Sequence, residues 1–241
     1  MNYIICSYKI DEEIEYNLKK SGVIPIKLRG LESFAGNYPF NPIIYHPDMF
    51  CFNLTGNKWI FYEEVYKINK DIIDNLNLDV ITQKNPKSCD YPHDVGLNAA
   101  MFGDNLICNT KYINPEILKF AKQTGKNIIN VKQGYTKCSV CIVDENSVIT
   151  FDLSIYEKAK ENNIDALLTV KGNINLDGYD YGFIGGCSGL INTNILAFTG
   201  DIKLHPDYEN IKSFCDKRGV KIVSLSHKKL YDYGSLFKIE V

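Results

Sequence analysis

No stretch of this 241-residue chain is apolar for the roughly 18 consecutive residues that a membrane-spanning helix needs, so no membrane partner is expected. Charge is scarce in excess as well. The 27 Lys and Arg residues against 29 Asp and Glu leave a net charge of -2 and a pI near 6.1, which gives nucleic acid no global attraction. The opening Met1-Asn-Tyr-Ile-Ile-Cys-Ser-Tyr-Lys lacks the basic start, long apolar run and small-residue cleavage site of a secretion signal, so a cytoplasmic location is expected. In that compartment the eight cysteines read as free thiols. The glycosylation-like Asn53-Leu54-Thr55 then carries no meaning. Neither Gly-x-Gly-x-x-Gly nor Gly-x-x-x-x-Gly-Lys occurs, so neither nucleotide binding nor any other cofactor is expected. Only four histidines are present, which limits the supply of general bases and metal ligands.

What the chain does have is repetition. Tyr45-His46-Pro47-Asp48, Tyr91-Pro92-His93-Asp94, Tyr135-Thr136-Lys137-Cys138, Tyr179-Asp180-Tyr181-Gly182 and Tyr231-Asp232-Tyr233-Gly234 are five Tyr-led polar tetrads, spaced 46, 44, 44 and 52 residues apart. Each is expected to open a strand, followed by a second strand, a short helix and a third strand. The fifth unit runs out at Val241 and is completed by Met1 to Leu28, so the repeat closes on itself. A period in the forties with circular closure predicts one domain over 1–241, an α/β propeller of five ββαβ units around a central channel.

Within the units, Asn114 caps and Pro115 opens a helix carrying Ile117, Leu118 and Ala121 before Gly125. Comparable signals lie at Asp11 to Gly22, Asn69 to Leu76, Ser154 to Asn162 and Pro206 to Gly219. The apolar runs Val23 to Leu28, Leu78 to Ile81, Asn127 to Val131, Ile164 to Val170 and Val220 to Leu225 read as strands covered on both faces. Hairpins are expected at Met101 to Ile107 and Val143 to Val148.

The stretches Asp94-Val95-Gly96 to Gly103-Asp104-Asn105-Leu106-Ile107-Cys108 and Tyr135-Thr136-Lys137-Cys138-Ser139 to Asp144-Glu145-Asn146 resemble strands of the arginine and dimethylarginine hydrolases. With the repeat, they identify the chain as resembling the pentein fold of guanidino-group-modifying enzymes and a ribosome anti-association factor. Gly-Tyr-Thr-Lys-Cys-Ser and Gly-Phe-Ile-Gly-Gly-Cys-Ser-Gly are also similar to a bacterial family assigned to this fold. The resemblance implies a thiolate that attacks a guanidinium carbon, a histidine that handles the proton, and carboxylates that hold the cation. This sequence departs from that set. Tyr135 stands at the histidine position, and the final stretch Gly234-Ser235-Leu236-Phe237-Lys238-Ile239 contains no cysteine.

Cys187, flanked by Gly185, Gly186, Ser188 and Gly189, is the candidate for a relocated nucleophile, with His46 or His93 as base; its plainer and favoured reading is a small buried thiol. Asp48, Asp94, Asn98, Tyr135, Gly186, Ser188 and Asp232 are the candidate ligand-binding residues. The other opener tyrosines read as packing. Cys138 and Cys141, three apart on a presumed strand, would face opposite ways and hold no metal. His205 and His227 read as helix-start and loop residues, and Trp59 as core. Lys238, near the missing nucleophile, is a candidate to plug the channel with its own cation.

Three functions stay open. One is a divergent pentein that binds a small polar or cationic molecule, such as a guanidino or amine compound, without hydrolysing it. The others are a thiol-dependent guanidino hydrolase or amidinotransferase using Cys187, and a ribosome- or protein-binding module.

Overall fold

A computed structural model describes residues 2–36 and 41–239. They form a mixed α/β fold with five three-stranded sheets. Strands β3 (Cys51–Thr55), β4 (Lys58–Tyr62) and β5 (Asp79–Gln83) make one. Next come β6 (Ala100–Phe102), β7 (Asn105–Cys108) and β8 (Asn127–Asn130), then β9 (Cys141–Asp144), β10 (Ser147–Thr150) and β11 (Asp165–Leu168). The fourth holds β12 (Ser188–Asn192), β13 (Ile195–Phe198) and β14 (Lys221–Ser224). The last joins both ends of the chain, with β15 (Phe237–Ile239) antiparallel to β1 (Asn2–Ser7) and β1 parallel to β2 (Val23–Leu28). Of that unit's expected span, Met1, Glu240 and Val241 lie outside the described residues.

Every sheet has one topology: the middle strand pairs antiparallel with the first, through a hairpin in four sheets and between the two ends of the chain in the fifth, and parallel with the third. A parallel neighbour requires a crossover, and each crossover is helical. The helices are Glu12–Lys20, the pair Glu63–Ile68 and Lys70–Asp74, Pro115–Gln123, Leu153–Glu161 and Tyr208–Asp216. Their ends follow sequence chemistry. The Asn114 side chain accepts from Glu116 N–H at 2.8 Å and Asp152 accepts from Ile155 N–H at 3.1 Å, each satisfying a donor that the helix cannot.

The second crossover differs from the expectation of a helix over Asn69 to Leu76. It starts at Glu63, straight after β4, and Asn69 joins two short helices instead of capping one. The buried Asn69 side chain exchanges hydrogen bonds with the Arg29 backbone and donates to Val65 O, which ties the junction to the neighbouring unit.

The middle strands hold the core: Ile4-Ile5-Cys6, Trp59-Ile60-Phe61, Leu106-Ile107-Cys108, Val148-Ile149 and Leu196-Ala197-Phe198 are fully buried. Each Val, Leu, Ile or Phe side chain among them contributes about 1.5–3 kcal/mol on burial. The third strands are edges with alternate residues at the surface, so their continuous apolar look does not mean cover on both faces. A cavity of about 640 Å3 is bordered by the first strand of every sheet, through Phe52, Met101, Ile142, Leu190 and Phe237. No helix among the described residues is long and apolar enough to cross a membrane.

Candidate functional site

The polar tetrads precede the first strands and do not lie in them. Pro47–Phe50 and Thr136–Ser139 are single helical turns, Val95–Leu97 is a 3-10 turn, and 184–187 is a hydrogen-bonded turn. Pro47 fits a first helical position and cannot donate within a ladder, which turns the chain before β3. Such turns leave backbone groups unpaired, and other units meet them. Asp48 N–H donates to Gly234 O at 3.1 Å, Gly186 N–H to Cys138 O at 2.9 Å, and Ser235 N–H to Gly186 O at 2.7 Å. Asn98 donates to Asp48 O at 3.1 Å and accepts from the N–H of Lys137 at 2.6 Å, so it staples three units together.

A buried polar network fills the space these turns enclose. Lys137, only 7% exposed, donates from Nζ to Ser235 Oγ at 2.9 Å, and Ser235 Oγ lies 2.7 Å from Asp48 Oδ2. Asp232 accepts from the N–H groups of Phe183 and Gly234 at 2.8 and 3.0 Å, and its Oδ1 is 3.6 Å from His46 Nδ1. Tyr135 donates its hydroxyl to Asp94 Oδ2 at 2.8 Å. Buried His46 Nδ1, Asp48 Oδ1 and Asp94 Oδ1 have no hydrogen-bond partner. Buried polar atoms are ordinarily hydrogen-bonded, so these three are groups that a polar ligand could satisfy.

Burial governs the charges. It pushes Asp94 and Asp232 up to about 6 and Asp48 up as well, and it pulls His46 down to about 4 against the raising influence of Asp48. His46 is therefore neutral at physiological pH. Asp94 holds its proton more tightly folded than unfolded, so its contribution to stability is present at low pH and lost as pH rises through about 6. Asp94→Asn, which mimics the protonated side chain and can still accept from Tyr135, is expected to gain on the wild type as pH rises from about 4 to about 7. The gain should reach about 3 kcal/mol, read from paired denaturant melts. A difference that stays constant over that range contradicts the assignment.

Two cavities meet at His46 and Asp232. The smaller, about 210 Å3, is walled by Tyr135, Tyr179, Tyr181 and Phe183, with Cys138 and Asp180 also on its lining. The larger, about 790 Å3, is bordered by Lys9, Asp11, Tyr45, Lys229 and Tyr231. The rings form a connected set: Tyr135 lies 6.3 Å from Phe183 and 5.8 Å from Tyr91, and Tyr181 lies 6.2 Å from Phe183. The opener tyrosines 45, 179 and 231 thus border cavities, where repetition suggested packing, and Tyr135 borders one as well.

Of the residues singled out from sequence, His46, Tyr135 and Asp232 come together on the small cavity. Asp94 reaches it through Tyr135, and Asp48 and Asn98 are built into the network behind it. His93 is exposed and borders none of the three cavities. Cys187 is fully buried, lines none of these three cavities either, and directs its thiol to Ile184 O at 3.4 Å; burial and then Asp232 push the thiol well above its usual range. Ser188 donates to Ile184 O at 2.7 Å and borders only the strand-lined cavity. A Cβ on Gly186 would overlap the Asp232 carboxylate, so the glycine admits a side chain of the protein where it was expected to admit a ligand.

Cys138 lies in a helical turn, so the face argument for Cys138 and Cys141 does not apply. Cys138 packs with Ile43 and Met49, whereas Cys141 joins another core cluster. Among the described residues no group of three or more His, Cys, Asp or Glu side chains could hold a metal. The cation at the centre of the network is Lys137, while Lys238 borders the strand-lined cavity. Sequence reasoning quoted Lys137 and Tyr181 inside their tetrads without giving them a role and read Tyr179 as packing, and Phe183 and Ser235 carried no signal of their own.

The fold is that of the penteins. DDAH from Pseudomonas aeruginosa, complexed with citrulline, matches with a TM-score of 0.54 at 9% identity, over 93% of this chain and 91% of that one. SxtG, an amidinotransferase from Microseira wollei in a saxitoxin biosynthetic pathway, matches at 0.55 and 12%, over 93% and 88%. A C. jejuni agmatine deiminase matches at 0.55 and 15%, over 99% and 93%. The chain belongs to the family of unknown function DUF6873, whose model matches residues 5–237. The comparison with curated proteins gives no match.

Proposed function

We propose that this chain binds a small cation, an amine or guanidinium compound, in the aromatic cavity and leaves it unhydrolysed. One observation carries the reading: Tyr135, Tyr179 and Phe183 wall a cavity that also contains the Asp232 carboxylate. Ring faces and a carboxylate are the two groups that attract an organic cation, each ring adding about 0.5–2 kcal/mol. A volume near 210 Å3 is about seven waters at ~30 Å3 each, enough for an alkylguanidinium and too little for a nucleotide. The five sheets, with their first strands around one cavity, are in keeping with a single-domain, five-bladed α/β propeller. Eight free, buried cysteines are in keeping with the cytoplasm.

The thiol-hydrolase reading draws no support from Cys187, whose sulfur is enclosed and protonated. The net charge of -2 likewise gives a ribosome-binding role no support.

Titration calorimetry with agmatine, putrescine and arginine at pH 7.5, with mass analysis of the ligand afterwards, tests the proposal. The expected result is saturable binding of at least one compound, recovered unchanged. Tyr179→Ala should weaken it about three- to thirtyfold; this ring is 46% exposed, so its loss should spare the fold. No binding by any of the three overturns the reading, and ammonia or amine release restores the enzyme alternative. Affinity should also fall as pH drops below about 6, where Asp232 gains a proton and loses the charge that holds the ligand.

A further inference from the structure

The geometry points to a second ligand site, in the strand-lined cavity of about 640 Å3, that takes a small apolar carboxylate such as an aryl or branched aliphatic acid. Its floor is Lys137. An ammonium has three donors, and among the described residues this one makes a single hydrogen bond, to Ser235 Oγ, with no carboxylate oxygen in ion-pair range. Its ring partner is Phe237, whose centroid lies 5.3 Å from Nζ, and the carboxylates of Asp48 and Asp232 act on it from beyond ion-pair range, Asp48 by way of Ser235. A cation that is 93% buried and short of acceptors is costly unless an anion meets it, and the cavity is where an anion can reach it.

The rest of the lining sets the body of the ligand. Phe52, Met101, Ile142, Leu190 and Phe237, one from each first strand, present apolar walls. They suit a hydrocarbon group better than a phosphate or a sugar. Of the acidic residues at the rim, Asp144 already accepts from Ser147 and faces Arg218, and Glu145 sits exposed on the hairpin turn, so neither cancels Lys137. The volume falls within the ordinary range for small-molecule sites, about 300–1,000 Å3. The site is separate from the aromatic cavity, and its test uses different ligands and variants.

The probes are phenylacetate, its neutral amide and inorganic phosphate, with binding read by calorimetry and by the shift in thermal midpoint. Wild-type protein is expected to bind phenylacetate saturably and the other two about tenfold more weakly or not at all. Lys137→Met should lose that binding. Leu190→Trp, which fills the cavity and keeps Lys137, should lose it too, and it decides the matter if Lys137→Met does not fold. Equal binding of acid and amide, preference for phosphate, retained binding in Leu190→Trp, or no binding by the wild type overturns the proposal.

Discussion

Gly186→Ala is expected to abolish the fold or bring it close to the edge. The new methyl group would overlap the carboxylate of Asp232, which cannot step aside because the backbone N–H groups of Phe183 and Gly234 hold both its oxygens. Nor can the backbone of residue 186 retreat, since its N–H is bonded to Cys138 O and its carbonyl to Ser235 N–H. Overpacking of this kind costs about 1–3 kcal/mol, and displacing Asp232 would leave buried donors unpaired at about 1–3 kcal/mol each. The sum is a large part of the 5–15 kcal/mol that holds a typical domain together. Expression yield and a thermal melt by circular dichroism check it, with Gly36→Ala as control, because a Cβ at Gly36 meets nothing within 4 Å and its backbone is not in the left-handed region. A melt for Gly186→Ala within a few degrees of the wild type contradicts the packing described.

Thiol reactivity carries the second large effect. All eight cysteines are free and buried, and Cys138 and Cys187 have thiols pushed well above their usual range, by burial first and by Asp48 or Asp232 next. Thiolate is the attacking form, so burial removes access and the raised pKa removes the nucleophile. Native protein should therefore react with a chromogenic disulfide about a thousandfold more slowly than denatured protein, at a rate set by opening of the structure. The same should hold for a chloroacetamidine-type guanidinium mimic. Rapid, saturable modification of Cys187 that a guanidino compound suppresses would overturn the placement of this residue and revive thiol catalysis.

Much of the fold was legible because it rests on local rules repeated five times. The Asn114-Pro115 helix start, the hairpin turns and the apolar middle strands depend on neighbours in sequence. Element boundaries slipped where distant contacts decide, as at Asn69, whose partners lie at Arg29. The site was legible in composition and not in direction. His46 and His93 occupy matching tetrads, yet one is buried beside Asp232 and the other is exposed, because the turns differ. Gly186 showed that something approaches closely there, but glycine does not say whether that is a ligand or Asp232. Lys137 escaped because a lysine in a polar tetrad reads as a surface charge. Its burial depends on Ser235, 98 residues away.

The most direct test of the central claim is a crystal structure of the protein with agmatine. The account predicts the ligand between Tyr135, Tyr179 and Phe183, its cationic group against Asp232, with every bond of the guanidinium intact. Agmatine seated in the strand-lined cavity, or found covalently joined to a cysteine, would contradict it.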